Sequence, residues 1–154
     1  MSSNRVPRAW VRFLGAHAEL SGRMDASLRA AHGLSLREYE VLLALSEAPG
    51  GRLRRVDLAS KVLLTQGGVT RLLESLEREG LSARAASESD RRVVYAQLTP
   101  TGRRRLAAAR RTHHHDIGEH FAAHFDAREL EALDGLLARL PGARGGGDWA
   151  DELG

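Results

Sequence analysis

Gln66, Gly67, Gly68, Thr70 and Arg71 stand together in one short stretch, and Asp90, Arg91 and Arg92 crowd another further along the chain. These side chains suit the chemistry of nucleic acids. A glutamine amide can pair bidentately with adenine, an arginine with guanine, and a threonine can hydrogen-bond or touch a thymine methyl. The arginine pair suits phosphate oxygens. Gly67 and Gly68 have two readings. They would let backbone N–H groups approach a phosphate with no side chain in the way. Equally, they fit the tolerance of a helix start, although inside a helix each costs about 1 kcal/mol against alanine.

The elements that must position these residues are written in the surrounding pattern. From Thr65 to Gly80, the apolar residues Val69, Leu72, Leu73 and Leu76 fall on one helical face. The opposite face carries Gln66, Thr70, Arg71, Ser75 and Arg78. Thr65 is an N-cap candidate, and Gly80 stands where a helix-ending glycine belongs. Leu81 to Ala86 and Val93 to Leu98 read as strands, with Ser87 to Arg92 as the hairpin tip. Strand alternation would send Arg91 and Arg92 to opposite faces. A helix followed by a basic-tipped hairpin is the layout of a winged helix-turn-helix, which points to DNA binding.

Upstream, a first helix is expected over about Pro7 to Ala31, ended by Gly33. Ser35 and Glu38 form a capping box for a second helix running to about Glu47, and Pro49-Gly50-Gly51 breaks it. Leu53 fits a short strand that pairs with the wing. Arg55 to Val62 reads as a third helix with Val56, Leu58, Ala59 and Val62 inward. Arg54, Arg55 and Arg84 are secondary candidates for phosphate contacts, and Ser60 and Lys61 weaker ones. Downstream, Thr99 and Pro100 open a long fifth helix to about Phe125. Asp126 and Glu129 open a sixth, carrying Leu130, Leu133, Leu136, Leu137 and Leu140, which Pro141 stops. Residues 142–154 are glycine-rich and are expected to fray.

The chain has 154 residues and a net charge of +3, unevenly placed. From Gly50 to Thr112 there are 14 basic and 6 acidic residues, a balance of +8, leaving −5 for the rest. A basic middle between acidic flanks suits a module that meets phosphates at its centre and protein at its ends. No cysteine is present, which excludes disulfides and thiolate metal sites. No apolar run approaches the ~20 residues of a membrane helix. Without a signal-like segment, a cytoplasmic location is expected.

Asp90, Arg92, Leu98, Thr99 and Gly102 compose D-x-R-x-x-x-x-x-L-T-x-x-G. This resembles the wing signature of the MarR (multiple antibiotic resistance regulator) family. Val69 to Leu81, V-T-R-L-L-E-S-L-E-R-E-G-L, resembles that family's recognition helix, and the likeness extends loosely from about Leu34 to Leu140. It implies a mainly α fold with a small β-wing, divided into an N-terminal dimerisation helix (1–33), a winged domain (34–99), C-terminal dimerisation helices (100–141) and a tail (142–154). It further implies a homodimeric, non-enzymatic regulator without cofactor, most simply a repressor on a palindromic double-stranded operator. On this resemblance Arg92 enters the minor groove or contacts its phosphates, and Asp90 orients the wing arginines through an ion pair. Relatives often release DNA when a small aromatic or phenolic acid binds. By analogy Trp10, Phe13, His17, His32 and Tyr39 could line such a pocket, although a Trp and a Phe at helical spacing more often belong to a core.

A second chemistry competes in the fifth helix. His113, His114, His115, Asp116, Glu119, His120 and His124 lie close in sequence. Asp116, His120 and His124 are spaced i, i+4, i+8, so one helix face could present a metal site. A metal-binding or metal-sensing protein is therefore the alternative. Consecutive histidines point around a helix, however, and no H-E-x-x-H pattern is present.

Overall fold

The computed structural model describes residues 4–62 and 66–143. Among the described residues the chain forms six helices, α1 (Arg5–His32), α2 (Leu36–Glu47), α3 (Arg55–Lys61), α4 (Gln66–Arg78), α5 (Pro100–His120) and α6 (Ala127–Leu137), and three strands, β1 (Arg52–Arg54), β2 (Ser82–Ala86) and β3 (Val94–Leu98). This is the mainly helical, small-sheet fold expected. The chain divides into two compact units, Met1–Thr112 and His113–Gly154.

Capping chemistry explains several boundaries. Ser35 and Glu38 complete a capping box at α2, with the Glu38 N–H 3.0 Å from Ser35 Oγ and the Ser35 N–H 2.9 Å from Glu38 Oε2. Asp126 and Glu129 do the same for α6. Gly80 adopts φ +70° after α4, and Leu81 N–H returns to Leu76 O at 2.9 Å, a left-handed helix ending that glycine adopts without strain.

The sheet has the order β1-β3-β2, all antiparallel. Leu53 stands opposite Ala96, so the short strand does pair with the wing. Beneath the sheet Leu28, Leu42, Leu45, Leu58, Val69, Leu73 and Leu76 form one buried cluster with Leu81 and Leu98. Fully burying side chains of this size contributes roughly 1.5–3 kcal/mol each. Gly102, in the first turn of α5, lies against the end of this cluster. A Cβ there would be driven into the Leu81 carbonyl and would meet Leu98 Cδ1 at 2.9 Å.

Three expectations need correction. α5 ends at His120, not near Phe125. The chain tightens into a 3-10 turn, Ala122–His124, that sets the Phe121 and Phe125 rings 5.5 Å apart, and Asp126 then needs extended backbone to cap α6. α6 stops at Leu137 and leaves Leu140 outside it, since the residue before Pro141 is disfavoured in helical conformation. Val56 is half-exposed and not inward: α3 is only 7 residues long, and its buried side is Leu58 and Ala59.

Candidate nucleic-acid interface

α4 is anchored by Val69, Leu73 and Leu76, all buried, with Leu72 partly buried beside them. That fixes which side faces away from the core. Arg71 lies on the exposed side and Thr70 at its margin. Thr65 and the side chain of Gln66 lie outside the described residues, as does the expected fraying over 144–154. Gly67 is exposed, and a Cβ added there would meet nothing within 4 Å. Packing within the chain therefore does not demand glycine at 67, and a close approach from outside is open. Gly68 is half-buried next to it.

On its inner side α4 is held by polar contacts that the sequence did not disclose. Ser75 Oγ donates to Glu38 Oε1 at 2.8 Å, so one carboxylate both caps α2 and grips α4. Glu77 faces Arg84 of β2 at 3.5 Å. Glu79 accepts from Arg105 of α5 at 3.3 Å. Ser75, expected on the face opposite Leu72 and Leu76, is instead half-buried and turned to Glu38, a partner 37 residues away in sequence.

At the wing tip, Ser87 Oγ accepts the N–H groups of Ser89 and Asp90, each at 3.3 Å. Asp90 Oδ1 accepts the Arg92 backbone N–H at 3.0 Å, and Val93 N–H reaches Asp90 O at 3.1 Å. Asp90 thus organises the tip through the backbone, where an ion pair with a guanidinium had been expected. This is the local turn chemistry of a short acidic side chain. Arg91 and Arg92 lie in the turn ahead of β3, so strand alternation does not govern them; both are exposed.

The other arginine candidates differ in how far they are committed. Arg54 pairs with Asp57 at 2.9 Å, and this hydrogen bond raises its pKa further above its ordinary value. Arg84 is engaged with Glu77. Arg55, half-buried, opens α3. Ser60 and Lys61 are exposed near its end. Arg71, Arg91 and Arg92, by contrast, show no side-chain ion pair among the described residues. They form the group most available to phosphates.

The five residues considered for a ligand pocket are spread apart. Trp10 and Phe13 are exposed on α1, with ring centroids 6.2 Å apart. His32 Nε2 lies 2.7 Å from Thr112 Oγ1. Tyr39 is a core residue, 3% exposed. His17 alone of the five lines an open hollow of about 370 Å³, with Ser21, Gly22, Asp25, Leu36, Arg37 and Glu40. The histidine run fares no better as a site. His120 is the last residue of α5 and His124 sits in the following 3-10 turn, so the i, i+4, i+8 face does not exist. Among the described residues, no three His, Asp or Glu side chains are placed to hold a metal ion. No helix among them is long and apolar enough to cross a membrane.

Known proteins share this architecture. The MarR family model matches residues 34–94. The uncharacterized HTH-type transcriptional regulator YdgJ of Bacillus subtilis (strain 168) is 31% identical over 117 residues, 76% of this chain and 70% of that protein. MhqR, an HTH-type transcriptional regulator of the same organism, is 33% identical over 87 residues, 56% of this chain; the match spans only 58% of MhqR's own length. Among solved structures, AbsC, a MarR family transcriptional regulator from Streptomyces coelicolor, superposes with a TM-score of 0.81 at 28% identity, covering 89% of this chain and 92% of AbsC. Sco3205 from the same organism, solved in complex with DNA, has a TM-score of 0.82 at 22% identity, covering 90% and 86%, and shares the fold. With a family match on the winged core and relatives aligned well beyond it, the chain belongs to the MarR family and is a winged helix-turn-helix transcriptional regulator, not an enzyme.

Proposed function

We propose that this regulator acts in the cytoplasm as a homodimeric repressor on a palindromic double-stranded operator. In this reading α4 enters the major groove, and the wing reaches the neighbouring minor groove. The observation that carries the reading is the two-sided construction of α4. One side is sunk in the core through Val69, Leu73 and Leu76, while Arg71, Arg91 and Arg92 stand exposed and free of ion pairs among the described residues. Base edges would be read by Gln66, Thr70 and Arg71, with Thr65, Gly67 and Gly68 bringing backbone amides to a phosphate. Arg55, Arg91 and Arg92 would hold phosphates, with Asp90 shaping the wing. That Sco3205 was solved on DNA supports this use of the fold.

Dimerisation is supported by apolar surface that the single chain leaves open. Val6, Trp10, Val11, Phe13 and Leu14 are all exposed on α1. A contiguous exposed apolar strip of this kind marks an interaction surface. A small aromatic or phenolic acid is the ligand class this regulator would answer to. Ser21, Asp25, Arg37 and Glu40 share the open hollow with His17, and the exposed Trp10–Phe13 pair offers aromatic surface to a phenolic acid.

The test is a gel-shift and footprint series on the promoter flanking the protein's own gene, at several salt concentrations and with salicylate as the ligand probe. A protected palindrome at nanomolar protein is expected, and weak binding without a footprint would overturn the operator reading. Arg92→Ala is expected to weaken binding severalfold and to lower the salt slope by about one. An unchanged slope removes Arg92 from the interface.

A further inference from the structure

α5 meets the end of the recognition helix at successive points along one face. Thr99 Oγ1 donates to Gly80 O at 2.6 Å, and Gly102 lies against the Leu81 carbonyl. Arg105 is three residues beyond Gly102 and so lies on the same side of the helix. Its Nη1 donates to His32 O at 2.9 Å and to Glu79 Oε2 at 3.3 Å. His32 is the last residue of α1, and Glu79 follows directly on α4. One guanidinium nitrogen thus joins the C-terminal ends of both helices.

The contact with α1 has a plain cause. The last carbonyls of a helix lack intrahelical partners. Here Gly33 N–H serves Arg29 O and Leu34 N–H serves Leu28 O, while Arg105 serves His32 O. A cation at this end also suits the helix dipole. Stability does not explain the contact with α4. The two side chains are 33% and 45% exposed, and ion pairs this open contribute about 0–1 kcal/mol. What the planar guanidinium supplies is direction.

We propose that Arg105 is a positioning residue for DNA recognition: it fixes the angle between α1 and α4. In the dimer this sets the separation and tilt of the two recognition helices. The inference rests on the dimeric operator reading above. It gives Arg105 no contact with DNA, because the arginine grips α4 at the end opposite its base-reading residues. Half-sites in such operators lie about one helical turn apart, so half-site spacing is the sensitive readout.

The experiment uses the full chain and its footprinted operator, together with operators carrying one base pair more or fewer between half-sites. Affinity, salt slope and melting temperature are compared for wild type, Arg105→Ala, Glu79→Ala and the double variant. Arg105→Ala is expected to lose about tenfold in operator affinity and to discriminate less between spacings. Its salt slope and its binding to random DNA should stay at the wild-type level. The double variant should be no worse than Arg105→Ala, the signature of a shared interaction. Retained spacing preference, additive losses, or a slope reduced by about one would each overturn the inference, the last by making Arg105 a phosphate contact. Should Arg105→Ala not fold, Glu79→Ala carries the test, because it leaves the contact with His32 in place. A wild-type protein with no preferred spacing would overturn the dimeric reading, and this inference with it.

Discussion

The two compact units of the chain are built on opposite terms. In the first, Met1–Thr112, leucines from α1 to α5 and the wing close over one another, and ten large side chains are essentially inaccessible. In the second, His113–Gly154, no apolar side chain is fully buried among the described residues; the only buried one is Asp116. Both α-helical stretches of the second unit are nevertheless well formed, and α6 has a complete capping box. Local signals suffice to draw a helix, but they do not supply a core. A short helix without tertiary packing is marginal in water, so the second unit needs a surface to cover Leu136 and its neighbours. A second copy of the chain is the proposed cover.

The largest expected effect lies in the first unit. Leu73→Ala should remove about 2–5 kcal/mol of stability in urea unfolding, because Leu73 is 1% exposed within a closed cluster. Sedimentation of the protein that remains folded should be unchanged. A loss well under 1 kcal/mol would mean that this core is not closed, and the contrast between the units would disappear.

Next comes Leu136→Arg in the second unit, where the side chain is 54% exposed. An exposed leucine with no partner would tolerate arginine within about 0.5 kcal/mol. At the heart of a dimer contact, the same change should raise the dimer dissociation constant roughly tenfold or more in sedimentation equilibrium. Unaltered self-association would assign the face to solvent.

The smallest effect is a separation of the two units by acid. Burial lowers the His113 pKa, and the neighbouring His114 lowers it further against the opposing pull of Asp116. A histidine shifted this way favours the folded state when neutral. Its contribution is lost as pH falls through the unfolded value of about 6.5. Asp25 in the first unit is held below the carboxylate range, chiefly by the hydrogen bond from Arg29 and then by the Leu36 N–H. Its contribution survives until pH falls below about 3.9. At pH 5.5 amide protection should therefore fall in residues 113–120 and in α6 before α2, and His113→Gln should reduce that difference. Equal quickening in both units would end the distinction.

Much of the fold was legible because it is written locally. The capping boxes at Ser35 and Asp126, the Val69–Leu73–Leu76 stripe and the left-handed Gly80 depend on residues within a turn of each other. At the candidate interface, what could be read was the exposure of Arg71, Arg91 and Arg92 beside the buried stripe of α4. What escaped depends on tertiary geometry. Glu38 was readable as a cap but not as the partner of Ser75. The family resemblance gave Asp90 an ion pair with a wing guanidinium, whereas the tight tip offers it the nearer Arg92 amide. The His124 assignment failed because helical spacing was extended across the 3-10 turn that ends α5.

Gly102 has a mechanical consequence. With no side chain between it and the Leu81 carbonyl, backbone rides on backbone, and the far end of α4 has a fulcrum with almost no play. α4 has 13 residues and so forms a lever roughly 20 Å long. A pivot of about 5° at that fulcrum would sweep the opposite tip through roughly 1.7 Å. Such a displacement spans the difference between a good hydrogen bond and none. Under the proposed operator reading, Gly102 would be a gearing element, converting a rotation too slight to disturb the core into the engagement or release of a base.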